Sequence, residues 1–221
     1  MEIWLDTSDL NLVEQAKQMG ILFGVTTNPS IVSKSKLGME DLLEQLLKIQ
    51  KGPVTAQVTA EKAPEMIQQG EALFRFSNRL LIKIPVTGEG LKAIYALSQN
   101  KIPVMATAVF DPNQVLLAAS AGASYIAPYF SLICEDDIHG IEPLKAMLRL
   151  LHRYNFPSKL LAASLRNPEQ VKECAEIGAH AVTLNEKVFN AFIEDHQLTR
   201  QAIDRFARDW KNAPKRKSLP L

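Results

Sequence analysis

The chain has few cysteines and almost no excess of either charge. Its 221 residues include only Cys134 and Cys174, which make no disulfide framework and lack the spacing of metal ligands. The formal net charge is +1, from 25 basic and 24 acidic residues, so bulk electrostatics favours neither nucleic acid nor a membrane surface. We therefore expect a globular protein of a reducing, cytoplasmic compartment that binds no nucleic acid.

Signals that would direct the chain to a membrane are missing or interrupted. The first six residues lack the basic start and apolar run of a signal peptide. The uncharged stretch 112–134 is long enough to span a bilayer. However, Ala121-Gly122-Ala123-Ser124 interrupts it and Pro128 dilutes it, so we expect a helix, a tight turn and a buried strand instead of a membrane span.

Short apolar segments alternate with helical patterns along the whole chain. Helix-start signals recur at Asp111-Pro112-Asn113-Gln114 and Asn167-Pro168-Glu169-Gln170, each with a cap, a proline and a glutamine. The eight predicted strands lie at 3–6, 23–27, 54–58, 80–84, 103–109, 124–129, 159–163 and 181–184. Strict alternation predicts parallel strands with helices outside, and eight units over residues 1–194 predict a single-domain α/β fold, the (β/α)8 TIM barrel. A doubly wound open sheet is the alternative, although no GxGxxG or P-loop motif follows any strand.

The C-terminal region is predicted to add a helix and a tail to this barrel. Leu198, Ala202, Phe206 and Trp210 fall at steps of four and form one apolar stripe over residues 195–212. This stripe can pack on its own barrel or on a neighbouring subunit, and the sequence leaves both open. Residues 213–221 read as a short basic tail.

Lys83 is the most unusual residue of the predicted strands, because it lies in the apolar run Leu80-Leu81-Ile82-Lys83-Ile84. On a strand, Leu81 and Lys83 share one face. Burial would lower the pKa of the ammonium and supply free amine, which can form a Schiff base with a carbonyl substrate. The alternative is a lysine that extends to solvent at a strand end.

Polar side chains stand at the C-terminal ends of six further strands, the first three and the fifth to the seventh, where a barrel carries its active site. These residues are Asp6, Thr26, Asn28, Gln57, Thr107, Tyr129, Ser164 and Arg166. Together they predict a hydroxyl-rich pocket around one buried amine, which suits a polyhydroxylated carbonyl compound. No His, Cys and carboxylate cluster suits a metal, so amine chemistry is favoured over Lewis-acid chemistry, with no metal and no cofactor expected.

Several runs of the sequence resemble the transaldolase family, above all its short fructose-6-phosphate aldolase branch. They are Leu5-Asp6-Thr7, Gly24-Val25-Thr26-Thr27-Asn28-Pro29-Ser30, Ile82-Lys83-Ile84-Pro85-Val86-Thr87, Ala106-Thr107-Ala108-Val109-Phe110 with Gln114, Ala121-Gly122-Ala123, Ala127-Pro128-Tyr129, Ala162-Ala163-Ser164 and Asp209-Trp210. The resemblance spans essentially the whole chain. Gln57 and Tyr129 match the aldolases, whereas transaldolases proper have glutamate and phenylalanine at these positions.

The resemblance implies a class I aldolase that cleaves or forms the C3–C4 bond of a ketose such as fructose 6-phosphate. It makes Lys83 the Schiff-base lysine, and Tyr129 the residue that moves protons through a water held by Gln57 and Thr107. It also implies that Asp6 assists proton transfer and binds substrate hydroxyls. The remaining substrate-binding residues by this likeness are Thr26, Asn28, Ser164 and Arg166. The family further implies a homo-oligomer, a ring or stacked rings, in which the terminal helix crosses between subunits.

Two positions depart from the family pattern, and the first of them bears on the substrate. Leu132 stands where the family has a phosphate-binding arginine, and Glu135-Asp136-Asp137 follows it. We therefore expect unphosphorylated aldehydes to be tolerated or preferred. Asn185 replaces a residue that is usually proline. Two alternatives to the aldolase stay open: a transaldolase that passes a dihydroxyacetone unit to a sugar-phosphate acceptor, and a non-catalytic barrel that binds a small metabolite.

Overall fold

Eight parallel strands form a closed barrel in which the strand order follows the chain order. This computed structural model describes residues 1–136 and 141–212, except the side chains of residues 135 and 136. The strands are β1 (Glu2–Asp6), β2 (Leu22–Thr26), β3 (Val54–Gln57), β4 (Leu80–Pro85), β5 (Val104–Val109), β6 (Tyr125–Pro128), β7 (Lys159–Ala162) and β8 (Ala181–Leu184). Because β1 pairs with both β2 and β8, the predicted (β/α)8 barrel is confirmed and the open doubly wound sheet is wrong.

Helices follow the strands and surround the barrel. Over the described residues they are α1 (Leu10–Gln18), α2 (Pro29–Val32), α3 (Met39–Ile49), α4 (Ala63–Phe76), α5 (Gly88–Gln99), α6 (Pro112–Ser120), α7 (Phe130–Asp136), α8 (Glu142–Arg153), α9 (Pro168–Glu176), α10 (Glu186–Phe192) and α11 (Gln197–Lys211). The start signal at Asp111 is a complete capping box, and the Asn167 side chain caps α9. Both predicted helix starts are therefore confirmed.

Most strands contribute their two faces to two different apolar cores, and β2 and β3 contribute only to the outer one. On β4, Leu80, Ile82 and Ile84 pack outward against the helices, whereas Leu81 packs inside the barrel. The interior core consists of Trp4, Leu81, Met105, Ala127, Leu161, Ala163 and Ala181, with Tyr125 and Tyr129 against it. By the same alternation Lys83, two residues after Leu81, also belongs to the interior.

The N-terminal end of the barrel is closed by packing and by one carboxylate. Trp4 is fully buried, and a Cβ atom at position 24 would lie 2.7 Å from its ring, so only glycine fits there. Glu2 accepts hydrogen bonds from Trp4 Nε1 (3.2 Å) and Tyr125 Oη (2.9 Å), and Lys159 Nζ lies 2.5 Å from its other oxygen. An opening for a ligand inside the barrel is therefore left at the C-terminal end.

The last helix carries an apolar stripe that its own barrel does not cover. None of residues 197–211 in α11 is buried, and Leu198, Phe206 and Trp210 are 65%, 60% and 51% exposed. The basic tail predicted at 213–221 lies outside the described residues, as does Asp137. Among residues 1–136 and 141–212, no helix combines the length and hydropathy needed to cross a membrane.

Candidate active site

Lys83 lies inside the C-terminal end of the barrel. Its side chain extends from β4, is 4% exposed and donates a hydrogen bond from Nζ to the Thr27 carbonyl oxygen at 3.2 Å. Burial lowers the pKa of the Lys83 ammonium, and the negative charge of Asp6 opposes this shift. The lysine is thus enclosed by the protein, and the alternative that it extends to solvent is wrong.

Asp6 is the acidic partner of this lysine. It ends β1, and its Oδ1 atom accepts a hydrogen bond from Thr26 Oγ1 at 2.6 Å. Burial raises the pKa of the Asp6 carboxyl, while the charge of Lys83 and the hydrogen bond from Thr26 lower it. The site therefore holds a carboxyl and an amine whose pKa values are both shifted toward neutrality, a pattern common at functional sites.

A cavity of about 330 Å³ joins most of the predicted residues. Its lining consists of Asp6, Asn28, Lys83, Tyr129, Ala163, Ser164, Leu165, Arg166 and Asn185. The volume lies at the small end of the range for ligand pockets, about 300–1,000 Å³. One amine, one carboxyl, hydroxyls, amides and a guanidinium converge there, so the cavity can hold a small polar molecule through many hydrogen bonds.

Tyr129 and Thr107 meet beside this cavity. The Tyr129 hydroxyl lies 3.3 Å from Thr107 Oγ1, and Thr107 is 1% exposed on β5. Phe110 packs against the Tyr129 ring edge to face, with ring centroids 5.4 Å apart. This packing fixes the phenol, whose hydroxyl can exchange protons with a ligand in the cavity.

Ser164 takes a backbone conformation that few residues with a side chain adopt. Its φ angle is +62°, just after the bridge that pairs Ala163 with Tyr129 at the strand ends. Left-handed backbone at a non-glycine residue costs free energy and is often found at functional sites. Arg166 follows two residues later, where its backbone N–H donates to Gln170 Oε1 at 2.8 Å.

Two asparagines at the cavity also cap helices. Asn28 Oδ1 accepts from the Ile31 N–H at 2.9 Å and caps α2, which leaves its Nδ2 group as the donor that the cap does not use. Asn185 Oδ1 accepts from the Val188 N–H at 3.0 Å and caps α10, while its Nδ2 donates to the Leu165 carbonyl oxygen at 3.2 Å. The departure at position 185 thus supplies a helix cap and a tie between two loops.

Gln57 has a different position from the one its predicted role suggests. It is the register partner of Lys83 on the neighbouring strand β3. However, it lines two outer grooves of about 620 and 850 Å³, and the lining of the Lys83 cavity does not include it. Leu132, on α7, is 37% exposed and also lies outside that lining.

One buried polar residue at the site was not expected from the sequence. Thr183 of β8 is 3% exposed, and its Oγ1 lies 2.7 Å from Thr26 Oγ1. The signal that marked Lys83, a polar residue on the inward face of an apolar strand, was also present in Ala181-Val182-Thr183-Leu184. Within residues 1–136 and 141–212, no group of three or more His, Cys, Asp or Glu side chains is placed to hold a metal ion.

Comparison with known proteins points to a single family. Residues 3–217 match the family described as transaldolase/fructose-6-phosphate aldolase. The probable transaldolase of Geobacillus thermodenitrificans is 39% identical over 210 residues, which cover 95% of this chain and 98% of the relative. The probable transaldolases of Clostridium kluyveri and Aquifex aeolicus are 35% and 36% identical, over 97% and 98% of this chain and 99% of each relative.

A solved structure outside this family shares the fold. A mutant of mandelate oxidase superposes with a TM-score of 0.59 at 13% identity, covering 94% of this chain and 72% of that one. Because the sequence identity is only 13%, this similarity shows that the two proteins share the barrel fold and nothing about function.

Proposed function

Since the chain belongs to the transaldolase/fructose-6-phosphate aldolase family, we propose that it is a class I aldolase that uses Lys83 as its Schiff-base nucleophile. The observation that carries this proposal is the burial of Lys83 in a polar cavity, where the pKa of its ammonium is lowered. An amine with a lowered pKa is unprotonated often enough near neutral pH to attack a carbonyl carbon. The proposed reaction needs neither a metal nor a cofactor.

The proposed reaction begins with attack of the Lys83 nitrogen on the C2 carbonyl carbon of a ketose. The carbinolamine loses water and gives a protonated imine. The C3–C4 bond then breaks as the C4 hydroxyl loses its proton, the electron pair flows into the imine, and an aldehyde leaves. Protonation of the resulting enamine at C3 and hydrolysis of the imine release dihydroxyacetone and restore the amine.

Tyr129 is proposed to move the protons in these steps, with Thr107 holding its hydroxyl. General acid–base catalysis requires a donor within hydrogen-bond reach of the reacting group, and the phenol lines the same cavity as the amine. Gln57, beside Lys83 in register, is proposed to hold a water for this transfer. Asp6, Asn28, Ser164 and Arg166 line the cavity and are proposed, together with Thr26, to bind the substrate hydroxyls and its far end.

Leu132 supports a substrate without a phosphate group. A charge-assisted hydrogen bond contributes about 1.5–3 kcal/mol, so a leucine in place of an arginine would weaken phosphate binding about ten- to hundredfold. The binding of unphosphorylated ketoses and aldehydes does not depend on a phosphate contact, so this change does not weaken it. We propose that they are used at least as well as fructose 6-phosphate.

Transaldolase activity is the second candidate, because the relatives described above are named probable transaldolases. In that reaction the enamine attacks a sugar-phosphate aldehyde instead of taking a proton. Gln57 and Tyr129 favour the aldolase, because a phenol beside the amine can protonate the enamine. Both activities form the same enamine on Lys83. They differ only in whether this enamine then takes a proton or attacks an acceptor aldehyde.

The enzyme is tested by assaying dihydroxyacetone release from fructose 6-phosphate and from fructose, with Lys83→Met as control. The aldolase proposal expects release that depends on Lys83. If fructose 6-phosphate is consumed only with erythrose 4-phosphate present, and a seven-carbon ketose phosphate and glyceraldehyde 3-phosphate accumulate instead of dihydroxyacetone, the transaldolase is the activity. No turnover under either condition would favour the metabolite-binding barrel.

We also propose that the protein is a cytoplasmic homo-oligomer in which α11 packs on a neighbouring subunit. The support is the apolar stripe of α11, whose Leu198, Phe206 and Trp210 side chains are more than half exposed on a single copy. Contact with a second copy would remove these side chains from water.

A further inference from the structure

A chain of hydrogen bonds runs from β8 to the carboxyl of Asp6. Thr183 Oγ1 lies 2.7 Å from Thr26 Oγ1, and Thr26 Oγ1 lies 2.6 Å from Asp6 Oδ1. Thr26 and Thr183 are 1% and 3% exposed, so water does not compete for either hydroxyl. The three side chains come from β2, β8 and β1, which are neighbours in the closed barrel.

The direction of this chain follows from counting protons. A carboxylate only accepts hydrogen bonds, so Thr26 gives its single hydroxyl proton to Asp6. Thr26 then has no proton for Thr183, and Thr183 must donate to Thr26. The order of donation with Asp6 ionised is therefore Thr183 to Thr26 to Asp6.

We propose that Thr183 is a positioning residue for the Lys83 reaction, which holds the Thr26 hydroxyl in the orientation that stabilises the Asp6 carboxylate beside the amine. Donors in series polarise one another, by about 10–30% per bond. The effect favours the ionised carboxyl, because the bond that it strengthens is charge-assisted only in that state. This inference rests on the proposed function for the importance of Asp6, but the hydrogen-bond chain stands independently of turnover.

The other groups around Asp6 limit what else could change its titration. The charged and titratable groups that line the cavity with Asp6 are Lys83 from β4, Tyr129 at the end of β6 and Arg166 after β7. The buried polar residues Thr26 on β2, Thr107 on β5 and Thr183 on β8 are uncharged. Exchanging Thr183 for an uncharged residue therefore changes the hydrogen-bond chain and leaves every charge in the cavity as it was.

The experiment titrates Asp6 directly, by ¹³C NMR of protein labelled at the aspartate carboxyl carbons, with the Asp6 signal assigned through Asp6→Asn. Thr183→Val keeps the shape of the side chain and removes the hydroxyl. We expect its Asp6 midpoint to rise by about half a pH unit, the size of the lost polarisation of one charge-assisted bond. Thr183→Ser keeps a hydroxyl and is expected to keep the wild-type midpoint.

Ser158→Ala is the matched control, because it also removes a buried hydroxyl, one that donates to the Ala123 carbonyl oxygen away from the cavity. It is expected to leave the Asp6 midpoint unchanged. If the valine variant does not fold, Thr183→Ala replaces it with the same expectation. Equal midpoints in wild type and in the variants without a hydroxyl would overturn the proposal.

Dihydroxyacetone release is measured on the same proteins. The proposal expects the rate of the valine variant to fall about twofold at the wild-type Asp6 midpoint, which is the loss of ionised carboxyl that a half-unit shift gives. The rate should recover at higher pH, and the serine variant should match wild type throughout. If the Asp6 midpoint rises in Thr183→Val as expected but the wild-type protein releases no dihydroxyacetone, the proposed function is refuted. The role of Thr183 toward Asp6 is then still supported.

Discussion

Asp6 and Lys83 line the same cavity from opposite parts of the barrel, and each offsets the cost of burying the other. Burial raises the pKa of the Asp6 carboxyl and lowers the pKa of the Lys83 ammonium, while their mutual attraction opposes both shifts. Burial has the larger effect on each group. Burying the pair is therefore expected to lower the stability of the folded protein.

Replacing Lys83 by methionine and Asp6 by asparagine together is expected to stabilise the protein, because the pair is removed and neither charge is left buried without its partner. Because the pKa of Lys83 in the folded protein lies below its ordinary value, the unfolded chain binds more protons between these two pKa values, and stability rises with pH there. The free-energy penalty of burying the Lys83 ammonium is thus fully present below the pKa of Lys83 in the folded protein. It disappears above the pKa of Lys83 in the unfolded chain. Removing it at pH 7 should add about 1–2 kcal/mol, or about 2–8 °C in Tm for a chain of this size.

Thermal unfolding at pH 7 checks this expectation, and Lys159→Met is the control. Lys159 is half exposed and bound to Glu2, so its removal should leave Tm equal or lower. A double variant less stable than wild type would show that the buried pair contributes more to stability than its burial costs.

Tyr129→Phe is expected to separate imine formation from carbon–carbon cleavage. The variant keeps the amine and loses the proton donor, so kcat for cleavage should fall about 10²–10⁴-fold while reduction of the imine with borohydride still labels the protein. The measurement is the cleavage rate beside the labelled fraction. Tyr125→Phe serves as control, because this tyrosine binds Glu2 at the other end of the barrel and its loss should leave kcat unchanged. Unaltered cleavage without the Tyr129 hydroxyl would assign proton transfer to another group.

Leu132→Arg is expected to improve the use of phosphorylated substrates alone. One added charge-assisted contact should raise kcat/KM for fructose 6-phosphate about ten- to hundredfold and leave fructose unchanged. Leu132→Gln is the control for length and polarity without charge. A change of equal size on both substrates would place position 132 away from the phosphate.

The stripe of α11 is expected to hold subunits together. Changing Leu198, Phe206 and Trp210 to serine should shift the mass distribution in mass photometry toward monomer, because the apolar contact is lost. Asp204→Ser, on the opposite face of the helix, is the control and should keep the wild-type mass. An assembly that survives the triple change, or a wild type that is monomeric, would argue that the stripe has another partner.

Much of the barrel could be predicted from the sequence, because each strand is a short apolar run and several helices begin at a recognisable cap. The inward direction of Lys83 followed from its spacing to Leu81 alone. The position of Gln57 did not follow, because whether a residue at a strand end faces the inner cavity or an outer groove depends on the tilt of the strands. Thr183 was missed because its importance lies in a contact with Thr26, 157 positions away in sequence.

The most direct test of the account is reduction of the wild-type protein with borohydride in the presence of dihydroxyacetone at neutral pH, followed by peptide mass mapping. The account predicts one adduct, on Lys83, because the lowered pKa of this amine favours it over the exposed lysines, and no adduct in Lys83→Met. A wild-type protein without an adduct, or one labelled equally on its surface lysines, would contradict the proposal that Lys83 is the nucleophile.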